Sequence, residues 1–499
     1  MVPLIFIHYH GEVEIQVWEY LLSLAYILVL YMVFARRKNR MVKTAPEYRY
    51  YLWGLMAKLF SALIFSLIYF YYYPGGDSSA FYYSGVAMRE MALYDPIEYL
   101  RQVTGDNSYR AWASYPHGMP RPYQYVFFDD RTFVMVAISS VLALFTFNSF
   151  LISTMLMASL SFFGVWACFR TFVGYFPQIT GKLAIAFLFM PSSIFWGSAI
   201  LKDTLAFSAA CAWVHAVDEL VFKKRNKLGS VVSIVVCAVA MVAVKPYVFM
   251  VLFPATMLWV FYSRIARLRN ELVKFVLVPM VLVGIMILSF TVLMRMGGQL
   301  DKFALQGAME TIQIVQGDMI KYGTNSFDVG PIDGTWSGVL AKFPVATNAA
   351  LFRPYIWEVN NVVMAMSGLE NLWVLTLALG VLLKAGPLFT LRCIRGNPLI
   401  LMSTLFALSF AFVVGLTTPN FGALVRFKIP MVPFFISSLY IVAFMARLER
   451  KMRDQGHRFD IRDHRNGTAH LGPDVLAKGR KRTRRAPRGG GTIAGPIPN

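Results

Sequence analysis

The chain has 499 residues, 57% of them apolar and only 15% charged, with 48 Lys and Arg against 27 Asp and Glu. Soluble domains carry roughly 25% charged residues, and several apolar runs here reach the ~20 residues that cross a bilayer. A soluble globular fold is therefore excluded, and an all-α polytopic transmembrane bundle is expected. The formal net charge of +21 is spread as short Lys/Arg clusters beside apolar runs plus a basic tail. That pattern reads as topology, and no nucleic-acid partner is expected.

Near the N-terminus, His8 and His10 have the spacing of a metal pair, but no third ligand accompanies them. The first apolar run, about 17–35, is followed and not preceded by Arg36-Arg37-Lys38, so it reads as a retained span and not a signal peptide. Residues 36–50 carry Arg36, Arg37, Lys38, Arg40, Lys43 and Arg49 against the single acid Glu47. The positive-inside rule puts them in the cytoplasm and the N-terminus outside. Span two, 52–73, then runs outward to Tyr71, Tyr72 and Tyr73, an aromatic collar of the kind found at headgroup level. Pro74, Gly75 and Gly76 turn the chain. Asp77 follows, a lone carboxylate at the water edge.

The loop 74–131 is long and mixed in charge, as an exported loop can be. The apolar stretch 132–170 is interrupted at Thr146-Phe147-Asn148. Either it crosses twice, or 132–147 is a re-entrant or interfacial helix and 149–169 crosses once; parity favours the second, because Arg170 and Lys182 then fall inside. Residues 183–192 head outward, and Pro191 to Asp203 form a short, broken pair of helices near the outer interface. Further spans are expected at 204–222, 229–244, 247–263, 274–294, 361–383, 398–416 and 430–446, with a second exported loop over 295–358. That count gives eleven crossings, N-terminus out and C-terminus in, with every basic cluster on one side. Residues 1–446 form the membrane domain. The tail 447–499, rich in Gly, Pro and Arg, cannot bury enough surface to fold alone and reads as a disordered cytoplasmic segment attracted to anionic membrane lipid. The four cysteines, Cys168, Cys211, Cys237 and Cys393, avoid both long loops, so no disulfide framework is implied.

Four patches converge on the outer face: Asp77; Asp129 with Asp130; Lys202 with Asp203; and Arg353 with Arg426. Ionisable groups at membrane depth are costly and face a cavity or a partner. Cations beside carboxylates at the lipid boundary suit a lipid-linked phosphate, since guanidinium grips phosphate oxygens in a fork and a carboxylate takes a proton from an attacking hydroxyl. On this reading Asp77 is the catalytic base, and Lys202, Asp203, Arg353, Glu358, Arg426 and Lys428 bind substrate. Asp129 and Asp130 are candidate ligands for a divalent cation, the one cofactor suggested. Plainer readings stand beside these. Asp77 could cap a helix starting at Ser78, and Asp129-Asp130 one starting at 132. Lys202-Asp203 could be an interfacial ion pair or a helix start. Arg353 and Arg426 could be snorkelling side chains that fix helix depth, and Glu358 could simply pair with Arg353. No phosphate-binding glycine loop, HExxH or GxSxG occurs, so NTP hydrolysis and zinc proteolysis have no support.

Three short elements occur in order: Gly75-Gly76-Asp77-Ser78, then Pro-Ser-x-x-x-Trp-Gly-Ser-x-x-x-Lys-Asp over 191–203, then Arg-x-Lys-x-Pro-x-x-Pro over 426–433. With them the chain resembles, over most of 50–446, the multi-pass GT-C glycosyltransferases and related polysaccharide polymerases of bacterial envelopes. The resemblance implies a polyprenyl-phosphate-linked sugar donor, a glycan, lipid or protein acceptor, an active site at the outer face of the inner membrane, and Asp77 as base. The chain departs from the better-defined families in lacking a large C-terminal soluble domain and any second acid pair beyond Asp129-Asp130. Two alternatives stay open: an O-antigen-type polymerase, in which the arginines matter more than the carboxylate, and a transporter or flippase of a lipid-linked or anionic solute. Transporters often carry internal repeats with paired broken helices. One broken pair and two long exported loops favour the enzyme.

Overall fold

The structure is a computed structural model that describes residues 15–73, 75–265, 280, 284, 326–330 and 335–456. The His8–His10 pair, Pro74, nearly all of the span expected at 274–294, most of the loop from 295 to 334 and the tail from 457 lie outside the described residues. Within the described residues the elements are helical, and the β-type contact is an isolated antiparallel bridge between Ser326 and Asn420.

Helices α1 (Val17–Met41) and α2 (Tyr51–Tyr71) are joined by a 3-10 turn over Pro46–Tyr50. Helix α3 (Asp77–Tyr94) packs along α4 (Asp130–Phe145), with three short helices, Pro96–Val103, Tyr109–Ala113 and Gln124–Phe127, between them. Then come α5 (Phe150–Tyr175), α6 (Thr180–Leu188), a one-and-a-half-turn helix Pro191–Trp196, α7 (Lys202–Val217), α8 (Lys227–Val244) and α9 (Pro246–Ile265). The last group is α10 (Phe343–Phe352), α11 (Val362–Ala385), the short helix Pro387–Gly396, α12 (Pro398–Thr417), α13 (Phe421–Phe427) and α14 (Val432–Asp454).

Nine of the described helices are long and apolar enough to cross a membrane: α1, α2, α5, α7 (which a π-helical stretch, Asp218–Lys223, carries on to 22 residues), α8, α9, α11, α12 and α14. Helices satisfy their own backbone, which is what hydrocarbon demands of a spanning segment. The protein is thus a multi-pass, all-α bundle. Helix α14 continues to Asp454, past the tail boundary expected at 446. Between Pro177 and Lys202 the chain returns through the bundle in two short pieces, α6 and Pro191–Trp196.

Helix α4 resolves the ambiguity over 132–170. Its 16 residues extend about 24 Å, short of a ~30 Å hydrocarbon core. It starts beside Lys202, whose Nζ lies 3.8 Å from Asp129. Just after it ends, Ser149 donates to Glu19 at 2.6 Å near the start of α1, where Tyr20 meets Tyr71 at the end of α2. Helix α4 therefore enters and leaves at one end of the bundle. Phe147 and Asn148, both left-handed at φ 54° and 58°, reverse the chain into α5.

Three crossings bring backbones together, the first where a Cβ on Gly85 of α3 would run into the Ser139–Ser140 backbone of α4. A Cβ on Gly164 of α5 would collide with the Ser208 carbonyl of α7, and one on Gly415 of α12 with the Ala346 carbonyl of α10. Small residues at helix crossings are what close packing in lipid requires.

Candidate functional site

Asp77 is presented by a specific local route. Gly75 takes a left-handed backbone at φ 88°, which side chains resist. Tyr69 folds over the turn so tightly that a Cβ on Gly76 would come within 2.9 Å of its ring. Helix α3 begins at Asp77 itself with Gly76 as N-cap, and Ser79 serves that cap, accepting from the Gly76 N–H at 2.9 Å. Capping is therefore not the task of the Asp77 carboxylate, although its charge in the first turn suits the helix dipole.

The carboxylate instead meets Arg426. Arg426 Nη1 donates to Asp77 Oδ2 at 2.7 Å, and Arg426 Nε donates to Asp203 Oδ2 at 2.6 Å. The second oxygen of Asp203 accepts from Lys245 Nζ. Asp77, Arg426, Asp203 and Lys245 thus form a chain of alternating sign drawn from four passages: the start of α3, α13, the start of α7 and the α8–α9 turn. The side chains of Asp203, Lys245 and Arg426 are 1%, 8% and 13% exposed, whereas that of Asp77 is 54% exposed. Buried charge is tolerable only when paired, and the alternation pairs every buried member. Burial pulls the Lys245 ammonium down to about 8, with Asp203 restoring only part of the loss. At Arg426 burial also opposes the charge, but Asp203 and Asp77 outweigh it and hold the guanidinium above its ordinary pKa. Among the described residues, Asp77 Oδ1 and Arg426 Nη2 have no hydrogen-bond partner, so one carboxylate oxygen and one guanidinium nitrogen remain for a ligand.

Lys202 stands alongside, donating to Thr132 Oγ1 at 3.0 Å. Asp129 is the N-cap of α4 and accepts from the Thr132 N–H at 3.0 Å, and Asp130 accepts from Asn107 Nδ2 at 2.7 Å. The helix-capping alternative therefore describes Asp129. Among the described residues no group of three or more His, Cys, Asp or Glu side chains gathers into a metal-ligand set, so Asp129 and Asp130 have no third carboxylate or imidazole with which to hold a divalent cation.

A second charged group lies on the other side of α13. Arg353 forks onto Glu358, with Nε at 3.0 and 3.1 Å from the two carboxylate oxygens, and Nη2 joins the same carboxylate. Its guanidinium sits 4.7 Å from the Phe327 ring centroid and 5.3 Å from that of Phe421. Lys428, 2% exposed, donates to Asn371 Oδ1 at 2.6 Å and to the Arg353 carbonyl at 3.5 Å. Burial lowers the Lys428 ammonium to about 8, with Glu370 offsetting only part. Glu370, buried in α11, accepts from the Ser192 N–H at 2.6 Å and from Ser192 Oγ at 2.5 Å.

Asp77, Lys202, Asp203 and Arg426 are thus brought to one place. Arg353, Glu358 and Lys428 make a separate cluster, and no ion pair among the described residues joins the two. Sequence reasoning missed Lys245 and Glu370. Lys245 carried a usable signal: in Val244-Lys245-Pro246 it is a lone cation between two apolar runs, on the side that parity shares with Asp77. Glu370 stood out only as an acid inside an expected span. Set beside known proteins, the chain matches no family model, no curated protein and no solved structure.

Proposed function

We propose that this protein is a membrane glycosyltransferase that moves a sugar or glycan from a polyprenyl-phosphate-linked donor to an acceptor hydroxyl, working at the outer face of a bacterial inner membrane. The observation that carries the reading is the chain Asp77–Arg426–Asp203–Lys245, buried along its length and open to water only at the Asp77 carboxylate. Arg426 fixes one oxygen of Asp77 and leaves Oδ1 to receive the acceptor's proton. As the acceptor oxygen attacks the anomeric carbon, the bond from that carbon to the carrier phosphate breaks and its electron pair goes to the phosphate oxygen. The proton goes to Asp77, and the configuration inverts. Arg426 Nη2 and Lys202 supply positive charge where the leaving phosphate gathers negative charge, the kind of prearranged electrostatics that lowers such barriers. Asp203 and Lys245 act as positioning residues that hold the guanidinium.

A transporter of an anionic solute is the second reading, and Lys58 favours it. This lysine is 3% exposed inside α2, bonded to Ser161 Oγ at 2.5 Å and to the Gly197 carbonyl, with no carboxylate partner among the described residues. Cations inside spans often mark solute paths. Purified full-length protein incubated with a polyprenyl-phosphate-linked sugar and a hydroxyl acceptor decides between them. The enzyme releases carrier phosphate and glycosylated product, read by mass spectrometry. Passage of the intact donor across proteoliposomes without cleavage supports the transporter and removes the enzyme.

A further inference from the structure

At the end of the bundle away from Asp77, helices α11 and α14 open on a cavity of about 230 Å³. Asn371, which Lys428 touches at the Asp77 end, and Lys384, which lines the cavity, are separated along α11 by about 20 Å at 1.5 Å per residue. Four cations line it: Lys182 from α6, Lys384 from α11, and Arg447 and Arg450 from α14. No Asp or Glu is among its lining residues, and among the described residues none of the four cations makes an ion pair. Two are nevertheless held in place. Arg450 Nη2 donates to the Lys384 carbonyl, and Lys182 Nζ lies 5.5 Å from the ring centroid of Tyr440, which lines the cavity wall.

We infer that this cavity is a binding site for the phosphate headgroup of an anionic membrane lipid, gripped by Lys182, Lys384, Arg447 and Arg450. Snorkelling alone accounts for cations at a helix end, but it does not account for four of them turned on one hollow without an acid. Basic pockets between spanning helices are suited to anionic headgroups. The cavity is smaller than the ~300–1,000 Å³ pockets of whole soluble ligands, which fits a headgroup with its chains outside. Next to it, Leu379, Leu382 and Leu383 of α11 are 50%, 41% and 85% exposed, an apolar flank on which acyl chains can lie. Gly380 leaves the floor open, since a Cβ there would meet nothing within 4 Å. The inference does not rest on glycosyl transfer.

Native mass spectrometry of the full-length protein, released from nanodiscs of equal dioleoyl phosphatidylglycerol and dioleoyl phosphatidylcholine, tests it. Wild-type protein retains the anionic lipid in preference to the zwitterionic one. The Lys182→Gln/Arg447→Gln double variant loses that preference by roughly tenfold or more, since each cation near an anionic headgroup is worth about a factor of five. Gly380→Leu fills the cavity without changing charge and lowers anionic-lipid retention by a comparable factor. Melting curves in detergent establish that each variant is folded, and Gly380→Leu carries the test alone if the double variant is not. Undiminished retention in folded Gly380→Leu overturns the proposal, because charge at the surface would then do the holding. Displacement of the lipid by millimolar inorganic phosphate overturns it too, and would make the ligand a soluble anion.

Discussion

The two charged groups flanking α13 are built from the same kinds of side chain and differ in access. Around Arg353 the acid is engaged: Glu358, 16% exposed, is forked by the guanidinium, which is also stacked on aromatic rings, and Lys428 is buried against Asn371. Around Arg426 the acid at the far end is open, with Asp77 54% exposed, while the guanidinium keeps one nitrogen unused. The first arrangement turns both of its carboxylate oxygens onto the guanidinium and, through Lys428, ties the segment before α11 to the end of α13. The second leaves one oxygen of an exposed carboxylate still to be used. Similar ion pairs thus end closed or open according to whether the carboxylate faces water.

The sharpest way to break this contrast is Asp77→Asn. Loss of a general base is worth ~10²–10⁴-fold in turnover, and because Ser79 and not Asp77 serves the α3 cap, melting should stay near wild type. Full turnover in this variant would reduce the open acid to a counter-ion. Asp203→Asn should act on stability instead. It strands Lys245 and leaves Arg426 with only the exposed partner, and breaking a buried pair in this way costs roughly 3–5 kcal/mol; a melting temperature equal to wild type would show that the inner links are not needed. Arg426→Lys keeps the charge but cannot reach Asp77 and Asp203 together. Its turnover should fall on the order of 100-fold, the cost of ~1 Å of misplacement, while Arg353→Lys leaves turnover close to wild type. Equal losses in the two would merge the groups into one site.

The smallest effect concerns pH. Lys428 falls to about 8 in the folded protein from an ordinary 10.5. Between those values the unfolded chain holds a proton that the folded one has released, so stability rises as pH increases from about 8 toward 10.5. One group contributes at most about 1.4 kcal/mol per pH unit. Lys428→Met should show a shallower rise in melting temperature over this window. Parallel curves would mean that Lys428 stays charged throughout.

Much of the architecture was legible because apolar run length is a local signal. The described spans lie near their expected limits, the break around Pro191 is real, and the reading of 132–147 as a re-entrant or interfacial helix agrees with where Asp129 and Ser149 end up. Topological parity also put Asp77, Lys202, Asp203 and Arg426 on one side. It could not pair them, since 349 positions separate Asp77 from Arg426 and only helix packing decides which acid meets which base. Arg353 and Glu358, five apart, were a local pair and were weighed as one. Lys245 and Glu370 escaped because a single charge beside or inside an apolar run says nothing of its partner until the neighbouring helices are in place.

The backbone crossings at Gly164 and Gly415 carry a last consequence. A helix is inserted into the bilayer on its own hydrophobicity, before it knows its neighbours, and docks against them afterwards. Replacing either glycine by leucine makes the span more apolar and favours insertion. The same side chain would strike the Ser208 or Ala346 carbonyl and hold α5 from α7, or α12 from α10. Such variants would accumulate in the membrane with every span correctly threaded and the bundle never closed. Threading and closure would then be separable steps for this protein, with close crossings such as these deciding the second.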